Sequence, residues 1–145
     1  PLWASAVVRH VESLKLPTAR VLGVVSDAQL ASLYRRADAV LITSEHEGFC
    51  VPVIESFSFG VPVVARDFGA IKETSAGAAM VLPADAGSPE LCEALARVTS
   101  DEGVRTEMVR RGRRRAAELT TDSTLRGFLA ALTRVLEWDP ETAER

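Results

Sequence analysis

The chain has 145 residues, 47% of them apolar and 26% charged, the balance of a globular domain around one hydrophobic core rather than of a disordered or fibrous chain. Its formal charge of −3 supplies no basic surplus for gripping a duplex, so a nucleic-acid partner is not expected. Cys50 and Cys92, its two cysteines, have neither metal-ligand spacing nor the density of a disulfide scaffold, which suits a reducing cytoplasmic setting.

No apolar run approaches the roughly 20 residues that cross a bilayer, and no export signal opens the chain. Pro1 stands inside what reads as a helix, so a piece of a longer protein is expected. Residues 3–16 carry Val7, Val8, Val11 and Leu14 at helical spacing, and Pro17 stops the pattern. The apolar run 21–25, with Gly23 at its centre, reads as a first strand. Ser26 and Gln29 form a capping box for a helix over 27–36. Residues 39–43 are apolar without alternation, as in a parallel strand covered on both faces.

After a polar loop over 44–51, Pro52 falls in the first turn of a short helix that Gly60 ends. Residues 61–65 read as the next buried strand, 71–75 as one helical turn, and 79–82 as a last strand ended by Pro83. With Ser88 as a cap candidate, the chain turns helical to Val98, again over 101–119, and again over 123–138. Four strands alternating with helices predict an α/β fold. Its parallel, Rossmann-like sheet has helices on both faces in three layers, followed by a helical tail. The partial domain is placed over 1–139, with 140–145 as a frayed end.

Chemistry is expected beyond the carboxyl ends of the strands, in the loop after Thr43. There a buried strand runs through Ser44, Glu45, His46, Glu47, Gly48, Phe49, Cys50 and Val51 into a helix start. Amides of a first helical turn lack intrahelical acceptors and the end carries partial positive charge, so a diphosphate can sit there. Gly48 is expected to allow close backbone approach and unusual dihedrals. Glu47 lies upstream of that anion site and Glu55 one turn inside the helix, where a carboxylate can accept from vicinal hydroxyls. The order of groups suits a nucleotide sugar: sugar near Glu47, diphosphate at the amides of 48–51, ribose at Glu55.

The run E-G-F-C-V-P-V-I-E, followed by S-F-S-F-G-V-P-V-V-A, resembles the E-x7-E signature of glycosyltransferase family 4. Residues 23–33 resemble that family's lead-in, Phe68-Gly69-Ala70-Ile71-Lys72-Glu73 its following loop, and Asp85 falls where the family often has aspartate. The resemblance implies the donor-binding half of a GT-B fold with its first strand–helix units missing. It also implies retaining transfer from a nucleoside-diphosphate sugar such as a UDP- or GDP-sugar, with Glu47 as the catalytic-site residue touching the donor sugar.

The resemblance further implies ribose binding by Glu55, contact of Gly48, Phe49, Cys50 and Val51 with sugar and diphosphate, and nucleotide nearby at Gly23 and Ser44. The family usually has glycine where Cys50 stands, and its usual phosphate-binding Arg and Lys belong to the missing units. So does the lobe that holds the acceptor, a sugar, lipid-linked or small molecule, and the isolated chain is expected to be incompetent for transfer. No D-x-D pair is present, so no metal ligand and no cofactor beyond the donor is expected. A nucleotide-sugar-binding module without transferase activity and a GT-B nucleotide-sugar epimerase remain open, as do base, sugar, acceptor and oligomeric state.

Other features read more plainly. His46 and His10 are expected to be solvated rather than catalytic or metal-binding. Cys50, though near a helix start, has no base and reads as a loop filler. The run Arg110-Arg111-Gly112-Arg113-Arg114-Arg115, amid Asp101, Glu102, Glu107 and Glu118, reads as a solvated mixed-charge face, with peripheral contact to anionic lipid at the inner membrane face as the alternative. Leu125, Phe128, Leu129, Leu132, Val135 and Leu136 form a helical stripe expected to pack in the core.

Overall fold

The computed structural model describes residues 2–15 and 18–136, in two compact units, Pro1–Arg36 and Ala37–Arg145. In the first unit, α1 covers Leu2–Ser13 and α2 covers Asp27–Arg36. The capping box forms as its spacing predicts: the Ser26 amide donates to Gln29 Oε1 at 2.9 Å, and the Gln29 amide to Ser26 Oγ at 3.4 Å. Ser26 thereby satisfies one of the amides that a helix start leaves without an intrahelical partner.

The expected strand over 21–25 does not form, so among the described residues the sheet has three strands rather than four. Gly23 takes a left-handed φ of +63° in the middle of that run. Val24 is fully exposed. An apolar run becomes a strand only where a neighbour completes its ladder, and this one pairs with no strand of the sheet.

The second unit holds β1 (Val40–Ile42), α3 (Val51–Phe59), β2 (Val63–Arg66), α4 (Ile71–Ser75) and β3 (Met80–Leu82), then α5 (Ser88–Ser100), α6 (Glu102–Glu118) and α7 (Thr121–Leu136). The strands are parallel in the order β1-β2-β3, with Val40 opposite Val63 and Val64 opposite Met80. It is β2 that is covered on both faces, with Val63, Val64 and Ala65 wholly buried; Leu41 of the edge strand β1 is 41% exposed, contrary to the full burial expected there. Side-chain alternation along β2 supplies two cores. Val63 and Ala65 join Ile42 under Val53 and Phe57 of α3 and Ile71 of α4. Val64 faces the other way, against Leu91, Ala94 and Val98 of α5 and Met108 of α6. Helices therefore cover both faces, giving the expected three layers.

Helix ends follow local chemistry. Gly60 closes α3 at φ +72°, donating to Phe57 O, while the Val61 amide returns to Ser56 O. Asp101 Oδ1 caps α6 by accepting from the Val104 amide at 3.0 Å. The cap of α5 is Gly87, not Ser88 as expected, with a proline in the first turn. The α7 cap is Thr120, whose Oγ1 accepts from the Ser123 amide. The tail assigned to 140–145, and Trp138 with it, lie outside the described residues.

Helix α6 runs beneath the amino ends of the strands. Arg105 Nη1 donates to Asp38 O, just before β1, at 2.7 Å. A cavity of about 230 Å³ is lined by Val104, Glu107, Met108 and Arg111 together with residues 77–80 at the start of β3. The arginine run is consequently only in part the solvated face expected. Arg110 and Arg111 pair with Glu107, but Arg115 reaches inward, donating from Nε to Thr74 O at 2.9 Å and from Nη2 to Glu73 O at 3.0 Å. A cation at the carbonyl end of α4 is favoured both by hydrogen bonding and by the helix dipole.

The apolar stripe of α7 departs from expectation at its four described positions. Leu125, Phe128, Leu129 and Leu132 are 54%, 63%, 51% and 42% exposed. Helical periodicity defined an apolar face correctly, but among the described residues the two cores are lined from the helices by α3, α4, α5 and α6. Val135 and Leu136 share that stripe in sequence; their side chains lie outside the described residues.

Candidate functional site

Residues 43–50 carry the chain from the end of β1 into α3, at the carboxyl edge where ligands of parallel sheets collect. The helix begins at Val51, one residue before Pro52, and no side chain caps it. Val51 is 54% exposed, so the helix end faces outward rather than into protein.

Pro52 has no amide hydrogen and the Val53 amide is already held by Cys50 O at 3.0 Å. What remains is the run Gly48, Phe49, Cys50 and Val51, whose backbone amides donate to no acceptor among the described residues. Unused donors at a positive helix end form an anion-binding surface. Glu47 and Glu55, both half-buried, lie in sequence on either side of this run, and Ser44, Gly48 and Phe49 are exposed.

The left-handed residue of the loop is Cys50, at φ +59° and ψ +66°, whereas Gly48 has no left-handed φ and open space where a Cβ would stand. The freedom expected of Gly48 is therefore used two residues later. That conformation is unfavourable for any side chain with a Cβ. The Cys50 side chain is buried with Val53, Phe57 and Ile71. Burial pushes its thiol above the usual range and the neighbouring Glu47 carboxylate pushes the same way, which disfavours the reactive thiolate.

A second loop supports the first. The Ala70 amide donates to Glu47 O at 3.1 Å, and Thr74 Oγ1, buried, donates to Phe49 O at 2.6 Å. These contacts tie the chain between Glu47 and Phe49 to residues 70–74. The run around Gly69 had no part in the expected site; a glycine three residues past the end of β2 was the available signal.

His46, Glu45 and His10 are exposed, and no cluster of three metal-ligating side chains occurs among the described residues. Gly23 lies in the first unit, away in sequence from the loop, with open space beside it. No helix among the described residues is long and apolar enough to cross a membrane.

Residues 5–115 match the family model described as Glycosyl transferases group 1. The chain is 35% identical over 99 residues to the MMP alpha-(1->4)-mannosyltransferase of Mycolicibacterium hassiacum, covering 66% of the chain and 24% of that protein. It is 29% identical over 117 residues to the D-inositol 3-phosphate glycosyltransferase of Salinispora arenicola, covering 79% of the chain and 26% of that protein. A 54-residue stretch, 37% of the chain and 14% of the relative, is 44% identical to the GDP-mannose-dependent alpha-mannosyltransferase of Mycolicibacterium smegmatis. The chain thus spans about a quarter of the length of the first two relatives. With the family model covering more than half of its residues, the chain belongs to the glycosyl transferases group 1 family.

Proposed function

We propose that this chain is the donor-binding part of a retaining glycosyltransferase that moves a sugar from a nucleoside-diphosphate sugar to an acceptor. The observation that carries the reading is the open start of α3, with unused amides over 48–51 next to Glu47 and one turn before Glu55. The diphosphate lies on those amides, the donor sugar against Glu47 and the ribose hydroxyls on Glu55. As the sugar–oxygen bond breaks, charge grows on the departing phosphate, and the helix end stabilises it by about 0.3–2 kcal/mol in addition to individual hydrogen bonds. The acceptor attacks from the same face of the sugar, held by residues outside this chain, so the isolated chain binds donor without completing transfer. A cytoplasmic setting goes with two free thiols.

GDP-mannose is the first donor to test, because one relative is named for it. In the full-length protein, donor at about 100 times its dissociation constant raises stability by roughly 2.7 kcal/mol, readable as a thermal shift. Glu55→Ala weakens GDP binding about tenfold or more, the loss of charge-assisted hydrogen bonds worth about 1.5–3 kcal/mol. Glu47→Ala lowers transfer on the order of 100-fold, as expected for loss of a group acting on the reacting sugar. The reading fails if GDP-, UDP- and ADP-sugars all leave the melting curve unmoved, or if Glu47→Ala transfers at the native rate.

A further inference from the structure

The turn after β2 presses on the site at one point without a side chain. Gly69 has a φ of +54°, and a Cβ placed there would stand 2.2 Å from Glu47 O and 3.0 Å from both Glu47 C and Glu47 N. These are backbone atoms, which cannot swing aside as the end of a flexible side chain can. The adjacent Ala70 amide holds Glu47 O at 3.1 Å, and four residues on, Thr74 Oγ1 holds Phe49 O at 2.6 Å. Three contacts from one segment therefore converge on the backbone that carries Glu47 and leads into the unused amides.

We propose that Gly69 is a positioning residue of the donor site: its missing side chain lets the β2–α4 turn seat against the Glu47 backbone, setting where the Glu47 carboxylate meets the donor sugar. This rests on the donor-site reading above. Any side chain at 69 must push the loop away, break the Ala70 bond, or both. Displacing a reacting group by about 1 Å can cost on the order of 100-fold in rate, so the effect falls on kcat more than on the binding of the nucleotide portion.

Gly77 supplies the control. Its φ is +76°, so alanine there suffers the same left-handed strain, but a Cβ meets nothing within 4 Å, and the residue lies before β3, at the amino edge of the sheet. In the full-length protein, with GDP-mannose as donor probe or the sugar nucleotide that gives the largest thermal shift, Gly69→Ala lowers kcat on the order of 100-fold. Gly77→Ala, matched for melting temperature, leaves kcat within about threefold, as expected for a site away from the chemistry.

In a Glu47→Ala background, Gly69→Ala costs no more than about threefold, because residues acting as a unit are not additive. If Gly69→Ala melts below the assay temperature, Thr74→Val, which removes the hydroxyl bond to Phe49 O, carries the same expectation of reduced kcat and non-additivity with Glu47→Ala. Equal kcat for Gly69→Ala and Gly77→Ala, or full additivity with Glu47→Ala, overturns the inference while leaving the donor-site reading intact. Unchanged transfer in Glu47→Ala alone overturns both.

Discussion

Gly112→Ala tests whether α6 is seated against α3 as closely as described. In an exposed helix interior, glycine to alanine stabilises by about 0.5–1 kcal/mol. At position 112 the added Cβ would lie 2.7 Å from Cδ1 of Phe57 and 3.1 Å from Cγ, and Phe57 is 1% exposed and enclosed by the core. The ring cannot yield without moving Val53 or the sheet, so overpacking of about 1–3 kcal/mol applies. The difference is a net loss of up to about 2.5 kcal/mol, at roughly 2–4 °C in melting temperature per kcal/mol for a domain of this size.

Urea unfolding followed by circular dichroism, with slopes compared to exclude a change in the unfolded state, measures it. Gly127→Ala on α7, where a Cβ meets nothing within 4 Å, should instead gain helix content. Phe57→Leu combined with Gly112→Ala should be less destabilised than the two single losses added together, because a smaller side chain makes room. A Gly112→Ala variant more stable than the native chain would refute the α3–α6 packing and with it the account of what holds the far end of the site helix.

Arg115→Ala, removing donors to Thr74 O and Glu73 O from a side chain only 21% exposed, should cost about 1–3 kcal/mol in chemical denaturation; Arg115→Lys, which cannot span both carbonyls, should recover only part. Thiol titration of the folded chain should modify exposed Cys92 promptly and buried Cys50 only after unfolding, since the reactive species is the thiolate and burial disfavours it.

Acid should act through Glu107, whose carboxyl is lowered from 4.5 to about 2 by hydrogen bonds first from Arg110, then from Arg111. A folded pKa below the unfolded one means this contribution is present above pH 4.5 and lost as pH falls toward 2. Stability curves of the native chain and Glu107→Gln should converge over that window, and a constant gap would count against the pairing.

Local signals carried the elements and the motif. Ser26 and Gln29, Gly60, the helical turn at Ile71 and the apolar runs around Leu41, Val64 and Val81 were all readable, because caps and periodicities are settled within a few residues. The spacing of Glu47 and Glu55 across a strand–loop–helix junction was readable for the same reason. Tertiary structure alone decided which features of similar appearance were used. Residues 21–25 and 63–66 are both short apolar runs, but only the second has strands on either side. The stripes of α5 and α7 have the same periodicity, yet one fills a core and the other is exposed.

The Cys50 side chain itself offered no hint of a left-handed backbone, nor Gly69 of its contact with Glu47, nor Arg115 of the carbonyls it reaches. Each depends on an atom brought close by the fold rather than by the chain. Hydrogen bonds within a turn are determined by neighbours in sequence, whereas burial and steric exclusion are determined by neighbours in space, which is why the spacing of Glu47 and Glu55 was visible from the residues and the contacts of Gly69, Ala70 and Thr74 with that loop were not.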